Sequence, residues 1–178
     1  MRRAIFGRQP PAGLEAPSRR GATDVVNSLA QAGPHARLVS RLQRLTPDAE
    51  RRWGSLTPAE MLCHLGDACD SVLGIRIPPG PPPSGVAKPV LKWLILYSPM
   101  PWPKGAKTRP GVDPHRDGTR PGEFERDRAR VIDGLAALAA APAEHLAAAH
   151  FMVGPMSRKD WHRWAYKHVD HHLRQFGL

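Results

Sequence analysis

An all-α four-helix bundle is the fold this sequence predicts, with a long proline-rich crossover between helices two and three. Three observations carry that expectation. Four stretches repeat apolar residues at helical spacing, and none alternates as a half-buried strand would. Two of the four open with a capping box. The 178 residues suit one domain with a single core.

Residues 1–22 are expected to form a disordered basic arm, and residues 23–178 one helical domain. Asp24 to Leu45 reads as the first helix, apolar at Val25, Val26, Leu29, Leu38, Leu42 and Leu45. Gly33-Pro34 predicts a kink or a restart there, and Thr46-Pro47 a short helical turn beyond it. The second helix starts at Thr57-Pro58-Ala59-Glu60, a capping box with proline in the first helical position. It runs to about Leu73, with Met61, Leu65, Ala68 and Val72 on one face and Gly74 as the stop.

Residues 78–121 hold twelve of the twenty prolines and one apolar island, Val90 to Tyr97. A connection this long is functional or loosely ordered; here it is expected to fold over one end of the bundle and wall a pocket. Pro121 to Ala141 is the third strong helix, with Phe124, Val131, Leu135 and Leu138 inward, Glu123, Arg126, Asp127 and Arg130 outward, and Pro142 ending it. Met152 to Met156 links it to the last helix, which Ser157-Arg158-Lys159-Asp160 caps.

Charge and cysteine usage remove several function classes. The formal charge is +10, but residues 1–21 concentrate five arginines against Glu15, and the body has no basic run interleaved with aromatics. Non-specific polyanion binding is expected, and a specific nucleic-acid partner is not. Cys63 and Cys69 fit neither a redox pair nor a zinc knuckle. Unpaired cysteines and the lack of an apolar leader predict a cytoplasmic protein. The longest apolar run, Trp93 to Tyr97, is too short to span a bilayer, so no membrane partner is expected.

The chemistry concentrates in the histidines. His168 and His172 are four apart on the last helix, one turn above the other, and share their face with Trp161, Trp164, Ala165 and Gln175. Two imidazoles on an apolar face need a metal, a carboxylate or a buried water to satisfy them. His171 lies roughly 60° off that face, as a supporting or surface residue. His64 sits on the shoulder of helix two, where a side chain reaches a cleft between helices. Bundles build metal sites from facing helices, and three imidazoles leave coordination positions open. Asp67 and Asp70 lie further from the core face, as a solvated pair or as groups that orient a ligand or serve as a base. Gln175 is placed for a hydrogen bond to a ligand. Tyr166 and Arg174 flank the pair at ordinary surface positions or within reach of a bound anion. No catalytic triad, phosphate loop or paired-carboxylate motif is present.

W-G-x-L-T-P-A-E-M-L-x-H-L from Trp53 to Leu65, G-x-x-P-G-E-F-E-R-D-R from Gly118 to Arg128, and the ending with Trp161 and Y-K-H-x-D-H-H-L-R-Q-F-G from Tyr166 to Gly177 together resemble the DinB-like superfamily. The resemblance is to an uncharacterised bacterial branch of it and covers about residues 34–178. It implies a four-helix bundle with one divalent metal, zinc or nickel, held by His64, His168 and His172. It also implies a metal-dependent, thiol-dependent transferase or hydrolase, a low-molecular-weight thiol as co-substrate, a small-molecule substrate and a homodimer. A non-catalytic bundle, with a structural ion or a histidine hydrogen-bond network and a binding or stress-response role, is the alternative. The chain departs from the branch in its proline-rich insertion and at His150 to Gly154, where the branch carries His-Pro and an aromatic before the glycine.

Overall fold

The computed structural model describes residues 26–76, 85, 87–106 and 108–178. The expected basic arm lies outside the described residues. Among the described residues there are five α-helices: α1 (Ala32–Gln43), α2 (Pro58–Val72), α3 (Pro89–Leu96), α4 (Phe124–Ala140) and α5 (Arg158–Arg174). The four long ones are the predicted bundle. The crossover between α2 and α4 contains the short α3 and a 3₁₀ turn, Pro110–Val112. A two-residue antiparallel pair, β1 (Ala149–His150) with β2 (Gly154–Pro155), closes the link before α5.

Local chemistry explains the boundaries. Thr57 and Glu60 form both bonds of a capping box at α2, and Ser157 and Asp160 do the same at α5. α1 begins later than expected, so Pro34 falls in its first turn, where the missing N–H has no intrahelical acceptor to lose. No kink is needed there. Thr46 accepts from the Ala49 N–H in a single turn, not a helix. α4 begins at Phe124, after Pro121 and Gly122.

The core is one cluster running from Leu38, Leu42 and Leu45 through Met61, Leu62 and Leu65 to Val131, Leu135, Leu138, Val169 and Leu173. The most extensive contact joins α2 to α4. Gly134 permits it, because a Cβ there would stand 3.0 Å from the Cys69 Cβ. Both cysteines are free and buried. α3 leans on α5: Lys92 and the Tyr97 hydroxyl both reach the Asp160 carboxylate, at 2.7 and 2.5 Å. Among the described residues, no helix is long and apolar enough to cross a membrane.

Candidate metal centre

His64 comes from the middle of α2, His168 and His172 from the last turns of α5, and all three are buried. His64 therefore points further inward than a shoulder position implies. Its Nε2 stands 3.1 Å from the Nε2 of His168, and the Nε2 of His172 stands 3.2 Å from the same atom. Two nitrogens sharing an ion at about 2.0–2.1 Å are separated by roughly 2.9–3.4 Å in octahedral or tetrahedral coordination. Both observed separations fall inside that range.

The outer edges of the rings decide which nitrogens carry protons. His64 Nδ1 donates to the Val112 carbonyl at 2.8 Å, and His172 Nδ1 to the Gln175 carboxamide oxygen at 2.9 Å. Both acceptors lack a proton of their own, so each neutral ring carries its hydrogen on Nδ1 and a bare lone pair on Nε2. His168 can offer one proton at most between them. At least one of the two nitrogen contacts therefore sets lone pair against lone pair unless a cation lies between. Burial pushes all three imidazoles below their ordinary value, and neighbouring imidazoles push His168 and His172 well below it. Near neutral pH a proton is not the cation this arrangement favours. The donor set fits a divalent metal, and these three histidines could hold one.

Support comes from two directions. Gln175 is seated by Gly54, whose φ of +91° suits glycine and where a Cβ would lie 2.6 Å from the Gln175 Nε2. The Arg52 N–H also donates to the Gln175 carbonyl at 2.7 Å. On the His64 side, Asp67 corrects the expectation of a solvated carboxylate. It is fully buried and accepts from the Thr119 N–H and hydroxyl, both at 2.6 Å, and from Arg130 at 2.8 Å and Arg76 at 3.2 Å. Burial alone would raise its carboxyl; the Thr119 and Arg130 bonds more than offset that and hold it below the usual range. None of these bonds goes to a ligand ring. Asp67 anchors the end of the segment whose Val112 carbonyl orients His64. Asp70 pairs with Arg130 at 2.5 Å, so neither Arg130 nor this acidic pair is a free surface group.

A matching model of the DinB superfamily covers residues 34–176. The chain belongs to the DinB superfamily. No curated protein and no solved structure matches it.

In this DinB superfamily member the remaining candidates fall outside the histidine trio. His171 is half-buried, edge-on to Trp53 at 4.8 Å between ring centres. Tyr166 is buried, with its hydroxyl bonded to Asn27, and Arg174 pairs with Asp170. Three further contributors were not among the expected site residues. Val112 acts through its carbonyl. Trp102, in the crossover, brings its indole to 5.8 Å from the His168 ring. His150 stacks among Phe151, Trp161 and Trp164, and burial together with the charge of Arg109 lowers it to about 4. Trp164 does more than fill the core, since its ring lies 4.5 Å from His168.

Proposed function

We propose that His64, His168 and His172 hold one divalent metal, zinc or nickel, and that the protein uses it to transfer a small-molecule thiol, or water, to a small electrophile. The observation that carries this reading is the set of three converging Nε2 atoms, two of them stripped of protons by carbonyl acceptors on the far side of their rings. A divalent ion with open positions supplies Lewis acidity and lowers the pKa of a thiol or water bound to it. The protein's own groups prepare that site. Burial keeps the imidazoles neutral, so they ligate without first losing a proton. Trp102 and Trp164 cover His168 and shield it from bulk water. Cys63 and Cys69 are pushed up to about 12, chiefly by burial, so neither is poised as a thiolate. A thiol nucleophile then comes from a separate low-molecular-weight molecule.

The test is elemental analysis of protein purified without a histidine tag. One equivalent of metal is expected in the wild type and near zero in His168→Ala; equal stoichiometry in the two would rule the assignment out. The burial of all three rings also favours a second reading, in which the ion is structural and the bundle binds a partner. Chelation separates the two. A structural ion costs much of the melting temperature when removed, whereas loss of thiol transfer at a nearly unchanged melting temperature supports catalysis.

A further inference from the structure

Beside the histidine face of α5, Lys167, Asp170, His171 and Arg174 line a cavity of about 170 Å³, closed by the 98–102 segment and Asn27. At roughly 30 Å³ per water-sized group, it accommodates a phosphate, or a carboxylate with a short stem. The charge of its wall is not balanced. Asp170 is already occupied, with Arg41 at 2.6 Å on one carboxylate oxygen and Arg174 at 2.7 Å on the other. Lys167 Nζ donates to the carbonyls of Ser98 and Met100, at 2.8 and 3.2 Å. Those acceptors are neutral. They hold the ammonium in place without cancelling its charge, and they leave a third N–H to give. Arg174 spends its Nε on Asp170, and its side chain remains 57% exposed at the cavity mouth.

The cavity also adjoins the histidine trio. Trp102 is part of its lining, and the same indole lies 5.9 Å from the His171 ring and 5.8 Å from the His168 ring. One indole thus borders both the cationic recess and the reacting end proposed above.

We propose that this recess is an anion subsite. It receives the carboxylate or phosphate group of the small molecule whose other end reaches the histidines, with Lys167 and Arg174 as its contacts. The proposal rests on the reading of those histidines as a place where a small molecule reacts. A carboxylate or phosphate matches an ammonium and a planar guanidinium together, through charge-assisted hydrogen bonds.

The probes are sodium phosphate and sodium acetate, titrated separately at constant ionic strength against a chloride control. The readout is the Trp102 indole N–H resonance, identified with Trp102→Phe; that N–H donates to the Ile95 carbonyl at 2.8 Å. A saturating shift is expected with at least one anion, and the stronger of the two names the group recognised. Lys167→Met and Arg174→Gln should each weaken it tenfold or more while keeping their metal; the exposed Arg174 provides a variant that does not disturb the core. His168→Ala should lose metal yet still bind the anion. A shift that never saturates, or equal affinity in both charge variants, overturns the proposal, as does loss of anion binding in His168→Ala. Wild-type protein that binds phosphate but no metal would refute the reading of the histidines and leave the subsite standing. Metal without a saturating anion would refute the subsite alone.

Discussion

At His172, the character of the inner nitrogen is decided on the outer edge of the ring. Gln175 accepts the Nδ1 proton at 2.9 Å, and so leaves Nε2 bare towards His168. Supporting bonds of this kind are worth roughly 10–100-fold in metal affinity. Gln175→Ala is therefore expected to weaken metal binding by about tenfold or more in a chelator competition, with little change in the melting temperature. Gly54→Ala should do the same indirectly and also destabilise, because its positive φ is strained for alanine and its Cβ would displace the carboxamide. Unchanged affinity in both variants would show that the ring is held some other way. The sequence allowed half of this to be read. Gln175 is three residues beyond His172 on one helix, so spacing alone puts the two together. Gly54 is far away in the chain, and nothing local tells a reader which side chain it makes room for.

The elements of the bundle were legible in proportion to how local their causes are. Both capping boxes lie within four residues, and α2 and α5 start where Thr57 and Ser157 say they should. α3 was visible only as an apolar island, because its eight residues are too few for periodicity to separate helix from strand. It is held from outside, by Lys92 and Tyr97 on Asp160. The solvated reading of Asp67 fails for a related reason. Its position on α2 suggested solvent, yet the crossover folds back over it and brings Thr119 and Arg76 to its carboxylate, alongside Arg130 from α4. Breaking a buried ion-pair network from one side costs about 3–5 kcal/mol. Asp67→Asn is expected to lose on the order of 3 kcal/mol in urea unfolding and also to weaken metal binding, since the segment carrying the Val112 carbonyl loses its anchor. Thr119→Val removes the two bonds of the hydroxyl, to Asp67 and from Arg76, but keeps the N–H bond to Asp67, and should have a smaller effect on both. If Asp67→Asn unfolds early yet binds metal as the wild type does, the crossover does not depend on this carboxylate to orient His64.

For the molecule as a whole, acid is the perturbation that reads the histidines collectively. His64, His150, His168 and His172 are all buried, and burial is the largest cause of the downward shift in each. A native state that refuses protons loses ground to an unfolded state that accepts them near the ordinary value of about 6.5. Their stabilising contribution is therefore complete above that pH and declines as the pH falls, by up to about 1.4 kcal/mol per pH unit for each ring. The carboxylates do not confuse this window. Asp67 and Asp160 are held below 3.8, Asp160 at about 2, so their contributions fade only in stronger acid. Metal-free protein should consequently show a urea midpoint that falls steeply between pH 7 and pH 5, without a plateau at pH 6. His168→Gln removes one of the refusing rings and should flatten that slope by about one proton. Metal-loaded protein should start from a higher midpoint and fall more steeply, because protons must then displace the ion as well. A midpoint of the metal-free protein that stays level across this range would mean that the imidazoles take up protons in the native state as readily as in the unfolded one, and the convergence of bare lone pairs on which the proposed metal depends would not exist.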